Sequence, residues 1–287
     1  MKHKVLIFGA DGQLGKDLAR SFSLENDVFT SSQSEADVTN EGEVLEKVEK
    51  HTPSLVINCA AFTNVEANEK DIFKSLQVNA VGAAHIARSA SKFDIPLIYI
   101  STDFIFDGTK EFFKETDFPN PLNVYGTSKY TGELLTKIAN DKTYIIRTSS
   151  LFGSFASGKG YNFVDKIIEL GTKSDKINVV EDNHTSPTYA RDLAEKILEL
   201  VNKSAPFGTY HITNQGSCTW YEFALEIIKQ KGLKTQVVPI SAKDYGTLVA
   251  RPLRTVLANE NLSARGFDLL PPWKDALKRY LEEKSHG

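Results

Sequence analysis

The sequence predicts an α/β protein built on a doubly wound parallel β-sheet, with a smaller α/β substrate lobe in its C-terminal half. Three observations predict this fold class. Short strand-like runs alternate with longer helical segments in the first half, the runs are apolar throughout, and a glycine-rich turn joins the first run to the first helix. Strands that are apolar on both faces and separated by helices are typical of a parallel sheet covered on each side.

The first half of the chain contains the most regular alternation. Its helical segments carry apolar residues at helical spacing, as Val44, Leu45 and Val48 do, and its strand-like runs are short and apolar. The predicted strands are Lys4–Phe8, Asp27–Thr30, Leu55–Asn58, Pro96–Ser101 and Thr143–Arg147. The predicted helices are Leu14–Leu24, Glu41–Lys50, Ile72–Phe93 and Tyr125–Ala139.

The second half alternates less regularly. The stretch from Ser154 to Gly160 is rich in glycine and serine and predicts a loop. The tail contains the dipeptides Arg251-Pro252 and Pro271-Pro272. The predicted helices are Phe163–Leu170, Arg191–Val201, Trp220–Lys231 and Trp273–Lys284, and the predicted strands are Ile177–Val180 and Gly208–Thr213.

Composition and charge exclude several classes of protein. Lys and Arg number 34 against 37 Asp and Glu, so the net charge of −3 gives no basic field for general nucleic-acid binding. Apolar runs such as Val5–Phe8 fall far short of the roughly 20 residues that span a bilayer, and no signal peptide is evident. Two cysteines, Cys59 and Cys218, form neither a disulfide framework nor a four-thiolate zinc site, and no metal-ligand spacing is present. We expect a cytoplasmic protein without nucleic-acid, membrane or metal partners; its oligomeric state stays open, with a homodimer as one option.

A glycine-rich turn follows the first predicted strand directly, with Gly9, Gly12 and Gly15 three positions apart. The first glycine permits a tight turn, the second lets a pyrophosphate approach the bare backbone, and the third lets the helix pack closely on the strand. The helix N-terminus then offers N–H groups and a partial positive charge to phosphates. Because the turn lies between a predicted strand and a predicted helix, it predicts a Rossmann-type dinucleotide site.

We therefore expect residues 1–153 to form the dinucleotide-binding domain, with parts of 183–215 completing its sheet. Residues 154–182 and 216–287 are expected to form the smaller substrate-binding lobe. The sequence contains no internal repeat and no low-complexity linker, so we expect the lobe to pack tightly on the sheet.

The end of the second predicted strand bears on the choice of nicotinamide cofactor. An NAD-specific site usually has an acidic residue about 20 residues after the glycines, which binds the ribose 2′-hydroxyl. Here the segment Thr30-Ser31-Ser32-Gln33 has no carboxylate, and the first one downstream is Glu35. Small hydroxyl side chains tolerate a 2′-phosphate, although no Lys or Arg stands nearby to attract it. The segment favours NADPH as the cofactor, and use of NADH is the alternative. The segment could equally be a plain surface loop that has no part in cofactor choice.

Tyr125 and Lys129 form a Tyr-x-x-x-Lys pair at the start of a predicted helix. Residues four apart share a helix face, and an ammonium beside a phenol lowers the tyrosine pKa from about 10. Such a tyrosine can exchange a proton near neutral pH. The preceding strand ends in Ser101-Thr102-Asp103, where side chains face the ligand crevice of a parallel sheet. The same spacing recurs at Tyr280 and Lys284, which we interpret as a solvated face of the last helix.

These motifs occur in an order that resembles a known family. The glycine turn, Thr102 and the Tyr125–Lys129 pair resemble those of extended short-chain dehydrogenases/reductases. Further segments, from residue 5 to about 280, are similar to the dTDP-4-dehydrorhamnose reductase family. They are Gly12-Gln13-Leu14-Gly15, Asn58-Cys59-Ala60-Ala61-Phe62-Thr63, Asn79, Ser101-Thr102-Asp103-Phe104-Ile105-Phe106-Asp107-Gly108, Arg147-Thr148-Ser149, Ser186-Pro187-Thr188, Gly208-Thr209-Tyr210-His211, Trp220-Tyr221-Glu222-Phe223-Ala224 and Ala250-Arg251-Pro252.

The resemblance implies an NAD(P)-dependent oxidoreductase of polysaccharide biosynthesis that reduces a nucleotide-linked 4-keto-6-deoxy sugar. The reaction it implies most directly is dTDP-4-dehydrorhamnose to dTDP-rhamnose with NADPH. In this pattern Tyr125 is the proton donor, Lys129 tunes its pKa and binds the cofactor ribose, and Thr102 hydrogen-bonds the carbonyl. The matching cofactor positions are Gly9, Asp11, Gly12, Gln13, Leu14, Asp37, Val38, Ala60, Ala61, Phe62, Thr63, Asn79, Tyr125 and Lys129. The matching substrate positions are Thr102, Asp103, Ser150 and Arg251.

Three of these residues also have a structural interpretation. Asp37 matches an acidic position at the adenine pocket, but it could equally cap the helix that starts near Glu41. Asp103 either contacts the substrate or caps the following loop. Arg251 suits the phosphates of a sugar nucleotide because its fork is planar, or it is a surface arginine beside a proline turn.

The sequence departs from the family pattern near the sugar. Phe104 stands where the family usually has Tyr, and Ser150 stands where it has a Trp that lines the pocket. Each buried aromatic contributes about 1–3 kcal/mol to binding, so their loss points to a reductase of another 4-keto-6-deoxy sugar nucleotide as an alternative.

Two further functions stay open. The regulatory subunit of methionine adenosyltransferase resembles the same family and acts as a partner, so a non-catalytic NADP-binding subunit is one alternative. The intact Thr102, Tyr125 and Lys129 favour chemistry instead. An epimerase or dehydratase shares the tyrosine and lysine, but a dehydratase typically has an acidic pair after the strand-end threonine, where Asp103-Phe104 supplies one acid.

Overall fold

The computed structural model describes residues 3–155, 160–246 and 249–286. In the first part, strands and helices alternate as predicted, and a π-helical turn at Gln77–Val81 joins two helices. The elements are β1 (Lys4–Phe8), α1 (Gln13–Phe22), β2 (Asp27–Ser31), α2 (Glu41–His51), β3 (Leu55–Asn58), α3 (Val65–Lys70), α4 (Ile72–Leu76), α5 (Gly82–Lys92), β4 (Leu97–Thr102), α6 (Val124–Ala139) and β5 (Thr143–Thr148).

The remaining elements are shorter strands interleaved with helices. They are β6 (Leu151–Phe152), α7 (Phe163–Lys173), β7 (Lys176–Val180), β8 (His184–Thr185), β9 (Thr188–Tyr189), α8 (Ala190–Asn202), β10 (Gly208–His211), β11 (Asn214–Gln215), β12 (Cys218–Thr219), α9 (Trp220–Lys231), β13 (Gln236–Ile240), α10 (Ala242–Tyr245), α11 (Glu260–Ala264), β14 (Leu270–Pro272) and α12 (Trp273–His286).

Six parallel strands form the main sheet, in the order β10-β5-β4-β3-β1-β2. Alternate residues of β1 pack on opposite faces. Val5 and Ile7 join a core with residues of α1 and α8, whereas Leu6 and Phe8 join a second core with residues of α2 and α5. Full burial of such a side chain is worth roughly 1.5–3 kcal/mol, so the all-apolar strand requires cover on both sides. The predicted doubly wound sheet is confirmed.

The smaller lobe contains a third core. Phe152, Phe223, Trp273 and Tyr280 pack together with apolar residues of α7, α9 and α12. A separate parallel pair, β7 with β13, flanks it. The division into two domains at residue 153 stays a prediction, although β10 does lie at the edge of the main sheet beside β5.

Several sequence-based expectations need correction. The helix predicted over Ile72–Phe93 contains the π-helical turn, and it ends at Lys92. β13 was not predicted; it contains Pro239, a residue that cannot donate to a strand ladder. The predicted strand Gly208–Thr213 ends at His211. The loop predicted from Ser154 to Gly160 lies partly outside the described residues, which omit 156–159.

The interpretation of Tyr280 and Lys284 as a solvated face is wrong for Tyr280, whereas Lys284 is exposed as expected. Tyr280 is fully buried; its hydroxyl donates to Asp165 Oδ1 at 2.7 Å and accepts from Asn162 Nδ2 at 3.2 Å. Lys284 forms an ion pair with the same Asp165. The pair therefore fastens α12 to α7 and supports the lobe. Within the described ranges, no helix is long and apolar enough to cross a bilayer.

Candidate active site

The glycine turn between β1 and α1 is crowded at two of its three glycines. Gly9 has φ +72°, and a Cβ there would lie 2.5 Å from the Ala60 nitrogen. A Cβ on Gly15 would overlap the Gly9 carbonyl oxygen and lie 2.7 Å from Ala10 Cα. Gly12 is looser, since its nearest neighbour would be the Gly9 oxygen at 3.3 Å. Gly9 and Gly15 therefore hold the turn against the sheet, and Gly12 leaves room for a ligand at the backbone.

The first turn of α1 can hold a diphosphate. Gly12 caps the helix and brings no side chain to its free N–H groups, and the first turn contains no acidic residue. Asp11 is exposed, whereas Gln13 and Leu14 are buried. The buried amide atoms of Gln13 have no hydrogen-bond partner among the described residues, which leaves them available to a ligand or water. These features fit the diphosphate of a nicotinamide cofactor.

The end of β2 lies against the glycine turn. The Ser31 carbonyl accepts from the Gly9 N–H at 2.9 Å. One residue later, the Ser32 N–H and hydroxyl donate to Glu35 Oε2 at 2.8 and 3.1 Å, which lowers the pKa of Glu35. The first carboxylate after the strand therefore folds back onto the hydroxyl segment. The sequence could not show this, because it depends on the turn that follows Ser32.

The residues predicted to line the adenine and nicotinamide are tied together by side-chain amides. Asn79, in the π-helical turn, accepts from the Phe62 N–H at 2.8 Å and donates to Ser128 Oγ at 2.9 Å. Ala60 donates its N–H to Asn58 Oδ1 at 3.0 Å. Thr63 is exposed, and Ala60, Ala61 and Phe62 are half-buried. Asn79 therefore positions this loop relative to α6.

Asp37 does not cap α2. Its carboxylate accepts from the Thr39 N–H at 2.9 Å and the Thr39 hydroxyl at 2.8 Å. The cap is Asn40, whose side chain accepts from Gly42 and Glu43. Val38 is buried in the core that contains α2 and α5. Of the two interpretations of Asp37, the helix cap is therefore wrong, and the adenine role stays a prediction.

Tyr125 lies in the first turn of α6, close to the end of β4. A Cβ on Gly126 would overlap the Phe104 carbonyl oxygen, so glycine allows the helix to start against the strand end. The Phe104 ring stands edge-on to the phenol ring, with 5.8 Å between the ring centres, and hydrogen bonding by Thr102 opposes a rise in the pKa of Tyr125. Burial raises the pKa of Tyr125 to about 12, and the charge of Asp103 adds to the rise. The phenol is therefore protonated at neutral pH, as a proton donor must be.

Lys129 lies on the buried side of α6, under the strand that ends at Thr102. Its Nζ donates to the Ile100 carbonyl at 2.6 Å and lies 4.1 Å from the centre of the Tyr99 ring. Burial lowers the pKa of Lys129 to about 7, against a smaller opposing effect of Glu133. Lys129 therefore carries a large pKa shift of its own, and its tuning of Tyr125 stays a prediction.

Because the pKa of Lys129 is lowered to about 7, we expect nucleotide binding to depend on pH. At pH 8.5 Lys129 is mostly neutral, and an adjacent anionic nucleotide favours its charged form and raises its pKa. We expect binding of NADH, whose diphosphate does not titrate in this range, to take up close to one proton at pH 8.5. At pH 6.5, where the lysine is already mostly charged, uptake should fall to about a quarter of a proton. Calorimetry in buffers of different ionisation enthalpy measures this number.

The matched control for this measurement is Lys129→Met, which keeps the length of the side chain and should abolish the uptake. Equal uptake at the two pH values in the unmodified protein would contradict the assignment.

The predicted substrate residues differ in burial: Asp103 is buried, whereas Ser150 and Arg251 are half-buried. Asp103 is only 3% exposed and accepts from Thr102 and Ser149 at 3.1 and 2.7 Å. Ser150 is half-buried and adopts φ +45°. Arg251 is half-buried and forms an ion pair with Glu66 of α3. Substrate phosphates at Arg251 would therefore compete with the Glu66 carboxylate.

Some residues of the site carried no recognisable signal in the sequence. Asn123 caps α6 and donates to the Ala250 carbonyl at 3.0 Å, which ties the start of the helix to the Arg251 segment. Thr185 hydrogen-bonds Ser149 at 2.8 Å from 36 positions away. Both lie next to motifs that were noticed, but their pairing is a product of the tertiary fold.

The whole chain is similar to a known protein family, to related proteins and to solved structures. A family model described as the RmlD substrate binding domain matches residues 3–286. A spore coat polysaccharide biosynthesis protein of Bacillus subtilis, SpsK, is 35% identical, with 98% of each chain covered. A dTDP-4-dehydrorhamnose reductase of Aggregatibacter actinomycetemcomitans is 35% identical, over 96% of this chain and 97% of that protein. The crystal structure of a dTDP-4-dehydrorhamnose reductase from Bacillus anthracis in complex with NADP is 38% identical, covers 99% of this chain and 100% of that one, and gives a TM-score of 0.94.

Proposed function

The chain belongs to the RmlD substrate-binding domain family of NAD(P)-dependent reductases, and on that premise we propose that it reduces the keto group of a nucleotide-linked 4-keto-6-deoxy sugar. The substrate we propose first is dTDP-4-dehydrorhamnose, which gives dTDP-rhamnose. The observation that carries the proposal is the position of Tyr125 and Thr102 at the carboxyl end of β4, on the same edge of the parallel sheet as a turn that fits a diphosphate.

The residues of this site suit carbonyl reduction. When bound, the nicotinamide supplies a hydride to the keto carbon. Tyr125 gives a proton to the oxygen on which negative charge develops, and its raised pKa keeps that proton available at neutral pH. Thr102 orients the phenol, and Lys129 holds the ribose. Positioned donors of this kind stabilise the charge that forms in the transition state.

We propose NADPH as the preferred cofactor, with NADH as the alternative. The NADP complex of the Bacillus anthracis relative supports NADPH, as do the hydroxyl side chains of Ser31 and Ser32. The Glu35 carboxylate on Ser32 weighs toward NADH, because it occupies donors that a 2′-phosphate would use. A cytoplasmic location and a homodimer stay predictions.

A panel of 4-keto sugar nucleotides linked to dTDP, UDP and GDP tests the proposal. We expect NADPH oxidation with the dTDP-linked 4-keto-6-deoxy sugar, with kcat/KM for NADPH at least equal to that for NADH, and mass spectrometry should show a product two hydrogens heavier. Reduction of a different 4-keto sugar only would indicate that the substitutions at Phe104 and Ser150 have changed the substrate specificity. Tight nucleotide binding without reduction of any sugar would favour the non-catalytic binding subunit.

A further inference from the structure

A continuous chain of side-chain hydrogen bonds leads from Thr102, at the proposed catalytic tyrosine, to the partly exposed Ser150. Its first link is Thr102, whose hydroxyl donates to Asp103 Oδ1 at 3.1 Å. The other carboxylate oxygen accepts from Ser149 Oγ at 2.7 Å. Ser149 Oγ lies 2.8 Å from Thr185 Oγ1, which lies 2.5 Å from Ser150 Oγ. The chain thus joins the ends of β4 and β5 to β8.

The direction of each hydrogen bond follows from counting protons. A hydroxyl has one proton to donate, and an ionised carboxylate has none. Ser149 spends its proton on Asp103, so Thr185 must donate to Ser149. Thr185 has then no proton left, so Ser150 must donate to Thr185. The protons of the three outer hydroxyls therefore all point toward the buried carboxylate.

Among the residues from Thr102 to Ser150, only Ser150 is partly exposed. Thr102, Asp103, Ser149 and Thr185 are 6, 3, 1 and 3% exposed, whereas Ser150 is half-buried. Burial raises the pKa of Asp103 even though hydrogen bonds from Thr255, Ser149 and Thr102 oppose the rise. Asp103 is therefore suited to hold a proton for part of a catalytic cycle.

We propose that these side chains return a proton to Tyr125 after each turnover. The inference rests on the proposed function, because reduction of the keto group is what removes the proton from the phenol. A proton from water enters at Ser150, and each hydroxyl passes its own proton inward until one reaches Asp103. Thr102 then turns its hydroxyl to the phenolate, gives up its proton there and takes the proton from Asp103. Only O–H bonds break and form, one proton is gained by Tyr125 and lost by water, whose hydroxide leaves to the solvent, and no electrons are transferred.

Two substitutions interrupt the chain, and a third is their control. Ser149→Ala and Thr185→Val each remove one link without touching Tyr125. Thr188→Val makes the same change at a buried threonine whose hydroxyl donates to the Ser186 carbonyl, outside the chain. Circular dichroism and urea midpoints establish that each variant is folded, and Thr185→Ala replaces either chain variant that is not.

The experiment compares the first turnover with the steady state by stopped-flow measurement of NADPH oxidation with the dTDP-linked 4-keto-6-deoxy sugar. The first turnover uses the proton already on Tyr125, so its rate should stay within about twofold of the unmodified protein. Later turnovers wait for the proton, so kcat should fall about tenfold in Ser149→Ala and Thr185→Val and gain a larger solvent deuterium isotope effect. Imidazolium buffer should restore kcat in a concentration-dependent way, and Thr188→Val should behave like the unmodified protein.

Two results would overturn the inference while the proposed function stands. One is an unchanged kcat and isotope effect in both variants. The other is an equal slowing of the first and later turnovers, which would mean that the hydroxyls only position Thr102. If the unmodified protein reduces no sugar in the panel, the proposed function fails before any variant is compared, and the inference fails with it.

Discussion

Replacing Tyr125 with phenylalanine is expected to lower kcat for 4-keto sugar reduction by roughly 10²–10⁴-fold, the usual contribution of a positioned general acid. The substitution keeps the ring and its edge contact with Phe104, and it removes only the hydroxyl that carries the proton. Nucleotide affinity should therefore stay within about twofold. Steady-state kinetics with the sugar nucleotide and fluorescence titration with NADPH separate the two effects.

Tyr280→Phe is the matched control, because Tyr280 and Lys284 repeat the Tyr-x-x-x-Lys spacing away from the cleft. Its hydroxyl bonds Asn162 and Asp165, so this variant should lose about 1 kcal/mol of unfolding free energy and keep its kcat. Near-normal reduction of every sugar by Tyr125→Phe would defeat the assignment of Tyr125 as the proton donor.

The nucleotide-binding half could be predicted because its signals are local. The bounds of β1 and β3 agree with the predicted strands Lys4–Phe8 and Leu55–Asn58, since each contains an unbroken apolar run beside a polar residue. The glycine turn depends on three residues whose spacing has a direct steric cause. The family resemblance, which used motifs from the whole chain, is confirmed by the model match over residues 3–286.

Elements that depend on distant partners could not be predicted in this way. β13 contains Pro239 and is a strand only because β7, some 60 positions earlier, pairs with it. Tyr280 looked solvated because its neighbours in sequence are charged, yet its partners Asn162 and Asp165 lie 118 and 115 positions away. A local sequence pattern does not indicate which distant helix a side chain will contact.

The same limit applies to the charges of the site. The Tyr125–Lys129 spacing correctly indicates a shared helix side, but it does not say what else each group will meet. The Ile100 carbonyl binds the ammonium, and burial lowers the pKa of that lysine to about 7 while it raises that of the phenol to about 12. A motif therefore indicates which groups lie on one side of a helix better than it predicts their pKa values.

Gly15→Ala is expected to cost about 3 kcal/mol of unfolding free energy and to abolish measurable NADPH binding. The new Cβ would overlap the Gly9 carbonyl oxygen and lie 2.7 Å from Ala10 Cα. Both neighbours are backbone atoms that β1 holds in place, so α1 must move away from the sheet. Urea unfolding measures the stability through the midpoint, and fluorescence titration measures the affinity.

Gly12→Ala separates the two consequences. Its Cβ would come no closer than 3.3 Å to the Gly9 oxygen, and its φ of −72° suits alanine, so stability should change by less than about 1 kcal/mol. The methyl group would nevertheless stand where a diphosphate meets the backbone, so NADPH should bind at least about tenfold more weakly. A Gly15→Ala protein as stable as the unmodified one would show that the turn can relax. An unchanged affinity in Gly12→Ala would place the diphosphate elsewhere, because no ligand that rests on this backbone could ignore a methyl group added to it.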